Sequence, residues 1–160
     1  MYDNLKLKEY INHIYTYMLV AGIDEVGRGC LAGPVVVAAV ILPLDVDEEY
    51  TPFMNQIKDS KKLTHTKRTQ LDEFIKFIAI DYNIVFIHNK EVDTLNIRNA
   101  TLKGMQLAYS GLNISPEHTY IDGDFYKPIC GEQYSCIPQG DSKVPSISAA
   151  SIIAKVARDT

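Results

Sequence analysis

Cysteine is scarce in this sequence, and long apolar runs are absent. The three cysteines, Cys30, Cys130 and Cys136, form no C-x-x-C pair, and their odd number argues against a disulfide framework. The longest apolar run, at 35–42, is about ten residues too short to cross a bilayer. No basic segment precedes a cleavable apolar stretch at the N-terminus. We therefore expect a cytoplasmic protein with reduced cysteines and no membrane partner.

Proline- and glycine-rich tracts are also missing, which argues against a disordered or fibrous chain. The chain has 160 residues, of which 46% are hydrophobic, and this is enough to bury the core of a single domain. We find no internal repeat or linker that would indicate a second domain.

The formal net charge of −4 is unevenly distributed along the chain. The segment 58–76 carries six basic and three acidic residues, whereas the stretch 45–49 just before it is acidic. A local basic strip can neutralise phosphates even on an acidic protein, because the field at the contact surface decides binding. The alternative is a solvated helix face, and charge alone favours that alternative.

Apolar periodicity predicts an α/β fold, in which a mixed β-sheet is flanked by helices. Helices are expected over 1–18, 66–79, 91–109 and 145–159, with Thr64 as the N-cap of the second. Strands are expected over 19–26, 34–42, 83–88 and 118–122, the first two as an antiparallel pair. The last helix reaches Thr160 without a Gly or Asn cap, which favours a chain that is cut short.

Two adjacent acids, Asp24 and Glu25, interrupt the first predicted strand, which is otherwise apolar. A buried carboxylate must be neutralised, pair with a cation or bind a metal, so this interruption marks a candidate site. A salt bridge to Arg28 is the structural alternative. Neighbouring residues of a strand point to opposite faces, so a shared metal requires a bend or bulge here, which the glycines that follow can supply.

Two further acids occur at the ends of predicted elements. Asp122 ends a strand, and Asp141 precedes the last helix, where an N-cap role is the simpler interpretation. Clustered carboxylates without paired His or Cys suit Mg²⁺ or Mn²⁺ and do not suit structural zinc. The four histidines show no ligand spacing.

The glycine run after the first strand allows a rival interpretation. Gly27, Gly29 and Gly33 loosely resemble a dinucleotide-binding turn. The acids beside it would repel a pyrophosphate, however, and Pro34 opens another strand where that fold needs a helix.

Six blocks of the sequence together carry a more specific resemblance. They are Gly22-Ile23-Asp24-Glu25-Val26-Gly27-Arg28-Gly29-Cys30-Leu31-Ala32-Gly33-Pro34, Asp59-Ser60-Lys61-Lys62-Leu63, Leu95-Asn96-Ile97-Arg98-Asn99-Ala100-Thr101, Ile121-Asp122-Gly123, Gly140-Asp141-Ser142 and the segment 148–159. In order and separation, these blocks resemble ribonuclease HII, the type 2 ribonuclease H family.

The resemblance implies a ribonuclease H-like fold and an enzyme that cuts nucleic acid. Asp24, Glu25, Asp122 and Asp141 would be catalytic ligands of two divalent cations, Mg²⁺ or Mn²⁺. The enzyme would hydrolyse the phosphodiester 5′ of ribonucleotides in RNA/DNA hybrids and RNA-DNA junctions. The implied partner is therefore an RNA/DNA hybrid or a DNA duplex containing ribonucleotides, and a monomer is expected.

The resemblance also implies substrate-binding residues. The backbone of Gly27-Arg28-Gly29 would sense the ribonucleotide 2′-hydroxyl. Lys61 and Lys62 would hold backbone phosphates, which turns the basic strip from a solvated face into a binding surface.

The resemblance implies a catalytic domain over 21–160, preceded by a helical extension over 1–20. The domain would lack the C-terminal helical segment that family members carry, together with its tyrosine at the ribonucleotide junction. Asp124 and Cys30 depart from the residues common in the family without altering the carboxylate set. The alternative function is a catalytically weak remnant that binds hybrid duplex.

Overall fold

The computed structural model describes residues 19–27 and 33–160, so the helix expected over 1–18 lies outside the described residues, as do Arg28 and Gly29. The strands form one five-stranded sheet in the order β3-β2-β1-β4-β5. Their bounds are β1 Val20–Val26, β2 Val35–Ile41, β3 Asp81–Ile87, β4 His118–Asp122 and β5 Tyr134–Ile137. β2 runs antiparallel to β1 and β3, whereas β4 runs parallel to β1 and β5.

This topology confirms the expected mixed sheet and the antiparallel pairing of the first two strands. A strand follows the glycine run where a dinucleotide-binding turn requires a helix. The dinucleotide-binding interpretation is therefore wrong.

Helices cover both faces of the sheet. Their bounds are α1 Thr51–Lys58, α2 His65–Ile78, α3 Asn89–Ser110 and α4 Pro145–Asp159, and short 3₁₀ turns occur at Glu48–Tyr50, Ser60–Lys62 and Gly140–Ser142. α1, α2 and α4 contribute to the core on one face, and α3 contributes to the core on the other. Because alternate residues of β2 enter the two cores, the whole strand is buried. Within the described ranges, no helix has the length and apolar character that a bilayer span requires.

The helix expected at 91–109 is found as α3, but it is broken at Asn96. This residue has φ 62° and ψ 167°, and its Oδ1 accepts a hydrogen bond of 3.0 Å from the Asn99 N–H. Asn96 therefore caps the second half of the helix, a role for which asparagine is well suited. Two elements, α1 and β5, were not predicted from the sequence.

Helix α4 crosses β1 at very close range. A Cβ atom built on Gly22 would lie 2.2 Å from the carbonyl carbon of Ser146, in the first turn of α4. Only glycine allows this approach. The crossing holds the start of α4 against the strand that carries Asp24 and Glu25.

Candidate active site

Three of the four predicted acids meet at the carboxyl ends of two neighbouring parallel strands. β1 and β4 pair as far as Ile23 and Ile121, so Asp24 and Asp122 follow on the next rung. One carboxylate oxygen from each of Asp24, Glu25 and Asp122 lies within 4.8 Å of the others. The strand register thus brings together residues that are distant in sequence.

Asp24 and Glu25 are neighbours in a strand, where side chains normally point to opposite faces, yet both contribute to one site. β1 pairs with β2 residue by residue from Ala21 to Val26, so the expected bulge is not present in this ladder. Instead, Asp24 Oδ1 accepts a hydrogen bond of 2.7 Å from the Glu25 backbone N–H. This bond draws the Asp24 carboxylate along the strand towards its neighbour.

The electrostatic environment of Asp24 disfavours a lone charge. Its side chain is only 4% exposed. Burial, followed by the charges of Glu25 and Asp122, raises the pKa of the Asp24 carboxyl well above its usual range. A divalent cation would reverse this balance, because it turns mutually repelling carboxylates into ligands.

The chemistry of the donors fits hard cations. The three residues offer only carboxylate oxygens, which Mg²⁺ and Mn²⁺ prefer. Two oxygens bound to one Mg²⁺ lie at most about 4.2 Å apart, because each lies about 2.1 Å from the ion. Small side-chain rotations therefore bring the observed group to binding distance.

Asp141 lies beside this group but is not part of it. It sits in the 3₁₀ turn Gly140–Ser142, and the Gly140 N–H in the same turn donates a hydrogen bond of 2.7 Å to Asp122 Oδ1. The Asp141 carboxylate lies 3.8 Å from Lys61 Nζ. The N-cap interpretation is wrong, because α4 begins at Pro145 and has Val144 as its N-cap.

Comparison with known proteins identifies the family to which this chain belongs. The family model described as Ribonuclease HII matches residues 21–160. The ribonuclease HII of Christiangramia forsetii is 43% identical over 93% of this chain and 72% of its own length. The chain belongs to the ribonuclease HII family.

A second relative and a solved structure agree with this assignment. The ribonuclease HII of Acetivibrio thermocellus is 50% identical over 89% of this chain, which spans only 53% of that protein. The crystal structure of the ribonuclease H2 from Pyrococcus horikoshii OT3 matches with a TM-score of 0.75 at 32% identity, over 89% of this chain and 72% of that one. The ribonuclease H-like fold is confirmed, and the chain is a member of a family of type 2 ribonuclease H enzymes.

One of the two lysines expected from the family lies next to a predicted acid. Lys61 and Lys62 are both exposed in the turn Ser60–Lys62, between α1 and α2. Because Lys61 is the residue that approaches Asp141, the basic strip begins at the edge of the carboxylate group.

Gly27 is the only residue of the Gly27-Arg28-Gly29 motif among the described residues. Its φ of +104° is one that side chains rarely adopt, and a Cβ here would lie 2.8 Å from Arg158 Nε. Arg158 Nε also donates a hydrogen bond of 3.2 Å to the Pro34 carbonyl. One arginine of α4 thus contacts the described residues at both ends of the segment 27–34.

Sequence reasoning did not assign this role to Arg158. A cation in the last turn of a helix is favoured by the helix dipole. The residue type of Arg158 therefore gave no reason to expect a contact with residues distant in sequence. The available signal was its position in the last of the six family blocks.

Proposed function

We propose that this chain is an endonuclease that hydrolyses the phosphodiester 5′ of ribonucleotides in RNA/DNA hybrids and RNA-DNA junctions. The observation that carries this proposal is the convergence of Asp24, Glu25 and Asp122 within 4.8 Å at adjacent strand ends. A cluster of this kind opposes folding unless a cation binds to it, so its position at the sheet edge favours function over structure.

The proposed metal ligands are Asp24, Glu25, Asp122 and Asp141. These residues would hold two divalent cations, which when bound supply an activated water and stabilise the leaving oxygen of the phosphodiester. Asp24 is a rigid ligand, because it is buried and bonded to the Glu25 backbone. Asp122 is oriented by the Gly140 N–H, and this bond keeps the turn that carries Asp141 close to the other acids.

Substrate selection is proposed for the Gly27-Arg28-Gly29 backbone, which would distinguish RNA from DNA by the 2′-hydroxyl. The positive φ of Gly27 and the contacts of Arg158 with Gly27 and Pro34 support this role, because they fix the described residues at the two ends of the segment 27–34. Lys61 and Lys62 would bind backbone phosphates and position the duplex without reading its sequence.

The test uses a labelled DNA duplex with one embedded ribonucleotide, incubated with Mg²⁺ or Mn²⁺. We expect the unmodified protein to cut 5′ of the ribonucleotide, leaving a 3′-hydroxyl and a 5′-phosphate. Asp122→Asn should reduce kcat by about 100-fold or more, because the amide is a poor ligand for a hard cation. An all-DNA duplex should remain intact.

Equal cleavage by the protein and Asp122→Asn would refute the assignment of the acids. The second outcome to consider is that the unmodified protein binds the duplex and leaves it uncut. That result would identify the chain as a hybrid-binding remnant, an alternative that the coverage of only 53–72% of these relatives keeps relevant.

A further inference from the structure

A polar pocket of about 200 Å³ lies next to Asp141, on the side of α2 and α4. It is formed where the turn Ser60–Lys62, helix α2 and helix α4 meet. Its polar lining consists of Ser60, Lys61, Arg68, Asp141, Ser151 and Lys155. Because Asp141 borders both this pocket and the carboxylate group, a ligand here would be a neighbour of the reacting phosphodiester.

The charges in this pocket favour an anion. Three cations face one carboxylate, and Lys61 approaches that carboxylate at 3.8 Å. Among residues 19–27 and 33–160, neither Arg68 nor Lys155 has a carboxylate within 4.0 Å. Two cations are therefore left without a counter-ion in the part of the chain that the structure describes. The Ser151 hydroxyl adds a hydrogen-bond donor that an oxyanion can use.

Arg68 provides a separate observation that indicates a ligand. Its Nη1 donates a hydrogen bond of 2.8 Å to the Leu63 carbonyl, which fixes the guanidinium beside the start of α2. Its Nε–H is buried and has no hydrogen-bond partner among the described residues. An unsatisfied buried donor is unfavourable, because it has given up its hydrogen bonds to water without replacing them. The guanidinium offers its remaining donors in a planar fork that matches phosphate oxygens, so a phosphate in the pocket would bind to those donors.

The pocket is built on rigid elements. Ser60 Oγ lies 2.9 Å from Ser148 Oγ, and the Ser148 hydroxyl also bonds to the Ile57 carbonyl at the end of α1. Ser148 is 1% exposed and belongs to α4. These bonds tie the turn to the helix that carries Ser151 and Lys155, so the cations are held in a defined arrangement before any ligand arrives.

We propose that this pocket binds one backbone phosphate of the nucleic acid, next to the phosphodiester that is cut, with Arg68 and Lys155 as its principal contacts. This inference rests on the proposed function and adds a defined phosphate subsite to it. Its role is to set the register of the duplex relative to the carboxylates, without reading the base sequence.

The test uses a set of ribonucleotide-containing duplexes in which a single phosphate is replaced by a neutral methylphosphonate, at a different position in each duplex. KM and kcat are measured for the unmodified protein, Arg68→Gln and Lys155→Gln. For the unmodified protein, we expect one position near the cut at which the replacement raises KM about tenfold, as the loss of one charged hydrogen bond implies.

Arg68→Gln and Lys155→Gln should raise KM on the unmodified duplex by a similar factor, with kcat changed little. Both variants should then be insensitive to the methylphosphonate at that one position and retain normal sensitivity elsewhere. The matched control is Lys90→Gln, an exposed lysine at the start of α3 on the opposite face of the sheet. It should behave like the unmodified protein at every position.

Salt dependence gives a second readout that needs no cleavage. In a fluorescence-anisotropy titration, Lys155→Gln should reduce the slope of log affinity against log salt by about 0.9, the loss of one phosphate contact, whereas Lys90→Gln should not. Lys155→Gln also covers the case in which Arg68→Gln fails to fold, since Lys155 is exposed and exposed substitutions change stability little.

If the unmodified protein cuts the duplex but Lys155→Gln keeps its KM, its salt slope and its methylphosphonate sensitivity, the pocket proposal is overturned while the nuclease proposal stands. If the unmodified protein does not cut, the nuclease proposal fails, and the anisotropy slopes still decide whether the pocket binds phosphate.

Discussion

Asp24 shows at the residue scale how a functional group opposes stability. It is buried, its pKa is raised, and its nearest charged neighbours are two other acids. A carboxyl with a raised pKa in the folded state retains its proton to higher pH than in the unfolded chain. The Asp24 carboxyl therefore makes the folded state progressively less stable as the pH rises above about 4, the range in which the unfolded chain releases this proton.

We predict that Asp24→Asn is more stable than the unmodified protein at pH 7 in the presence of a chelator, while its nuclease activity is lost. The amide carries no charge, yet its oxygen can still accept the Glu25 N–H. The gain should be about 1 kcal/mol or more, or roughly 2–4 °C in Tm for each kcal/mol. Thermal denaturation followed by circular dichroism measures it, and the difference between the proteins should shrink as the pH is lowered towards 4. An unchanged or lower Tm at pH 7 would contradict this account of Asp24.

Residue types and element ends located the acids one by one, whereas only the family resemblance implied that they come together. Residue types and element ends identified Asp24, Glu25 and Asp122 as candidates, and the strand pairing that unites them became visible only in the register of β1 and β4. Arg68 was noted only as one charge in a basic strip. Its orphaned Nε–H depends on how α2 packs, which composition and periodicity do not encode.

At the scale of elements, helices and strands with strong apolar periodicity were predicted correctly, whereas short or irregular segments were not. Thr64 caps α2 as expected, with its hydroxyl accepting a bond of 3.2 Å from the Lys67 N–H. The edge strand β5 has four residues, none of them buried, so it has no alternating apolar pattern to detect. The break in α3 at Asn96 is set by a single left-handed residue within an otherwise helical pattern.

The crossing of α4 over β1 yields a prediction at this scale. Gly22→Ala places a methyl group 2.2 Å from the Ser146 backbone, and neither element can move without disturbing the core. We expect a loss of about 1–3 kcal/mol of folding stability, measured by urea denaturation. Ala21→Gly, in the same strand, creates no clash and gives for comparison the cost of losing one buried methyl group, about 1 kcal/mol. The prediction fails if Gly22→Ala unfolds at the same urea concentration as the unmodified protein.

At the scale of the whole molecule, helices cover both faces of the sheet. The three carboxylates lie at the carboxyl ends of β1 and β4, near the middle of the sheet. A cation bound there connects β1 with β4. It therefore stabilises the folded chain relative to the unfolded chain, in which the ligands are far apart.

We predict that Mn²⁺ at 100 times its dissociation constant raises the stability of the protein by about 2.7 kcal/mol. The same addition to Asp122→Asn should give a markedly smaller shift, since one of the shared ligands is weakened. Differential scanning fluorimetry with and without the metal measures both shifts, with Ca²⁺ as a comparison ion. Equal shifts for the two proteins would place the bound ion elsewhere.

The parallel pairing of β1 with β4 also has a consequence for the order of events during synthesis. When the ribosome has released the chain only as far as α3, Asp24 and Glu25 have already been made. Strand β4, which carries the third acid Asp122, has not yet emerged. Affinity for divalent ions should consequently arise in a single late step, when β4 emerges and pairs with β1. Metal uptake by nascent chains of increasing length would then report when the centre of the sheet closes.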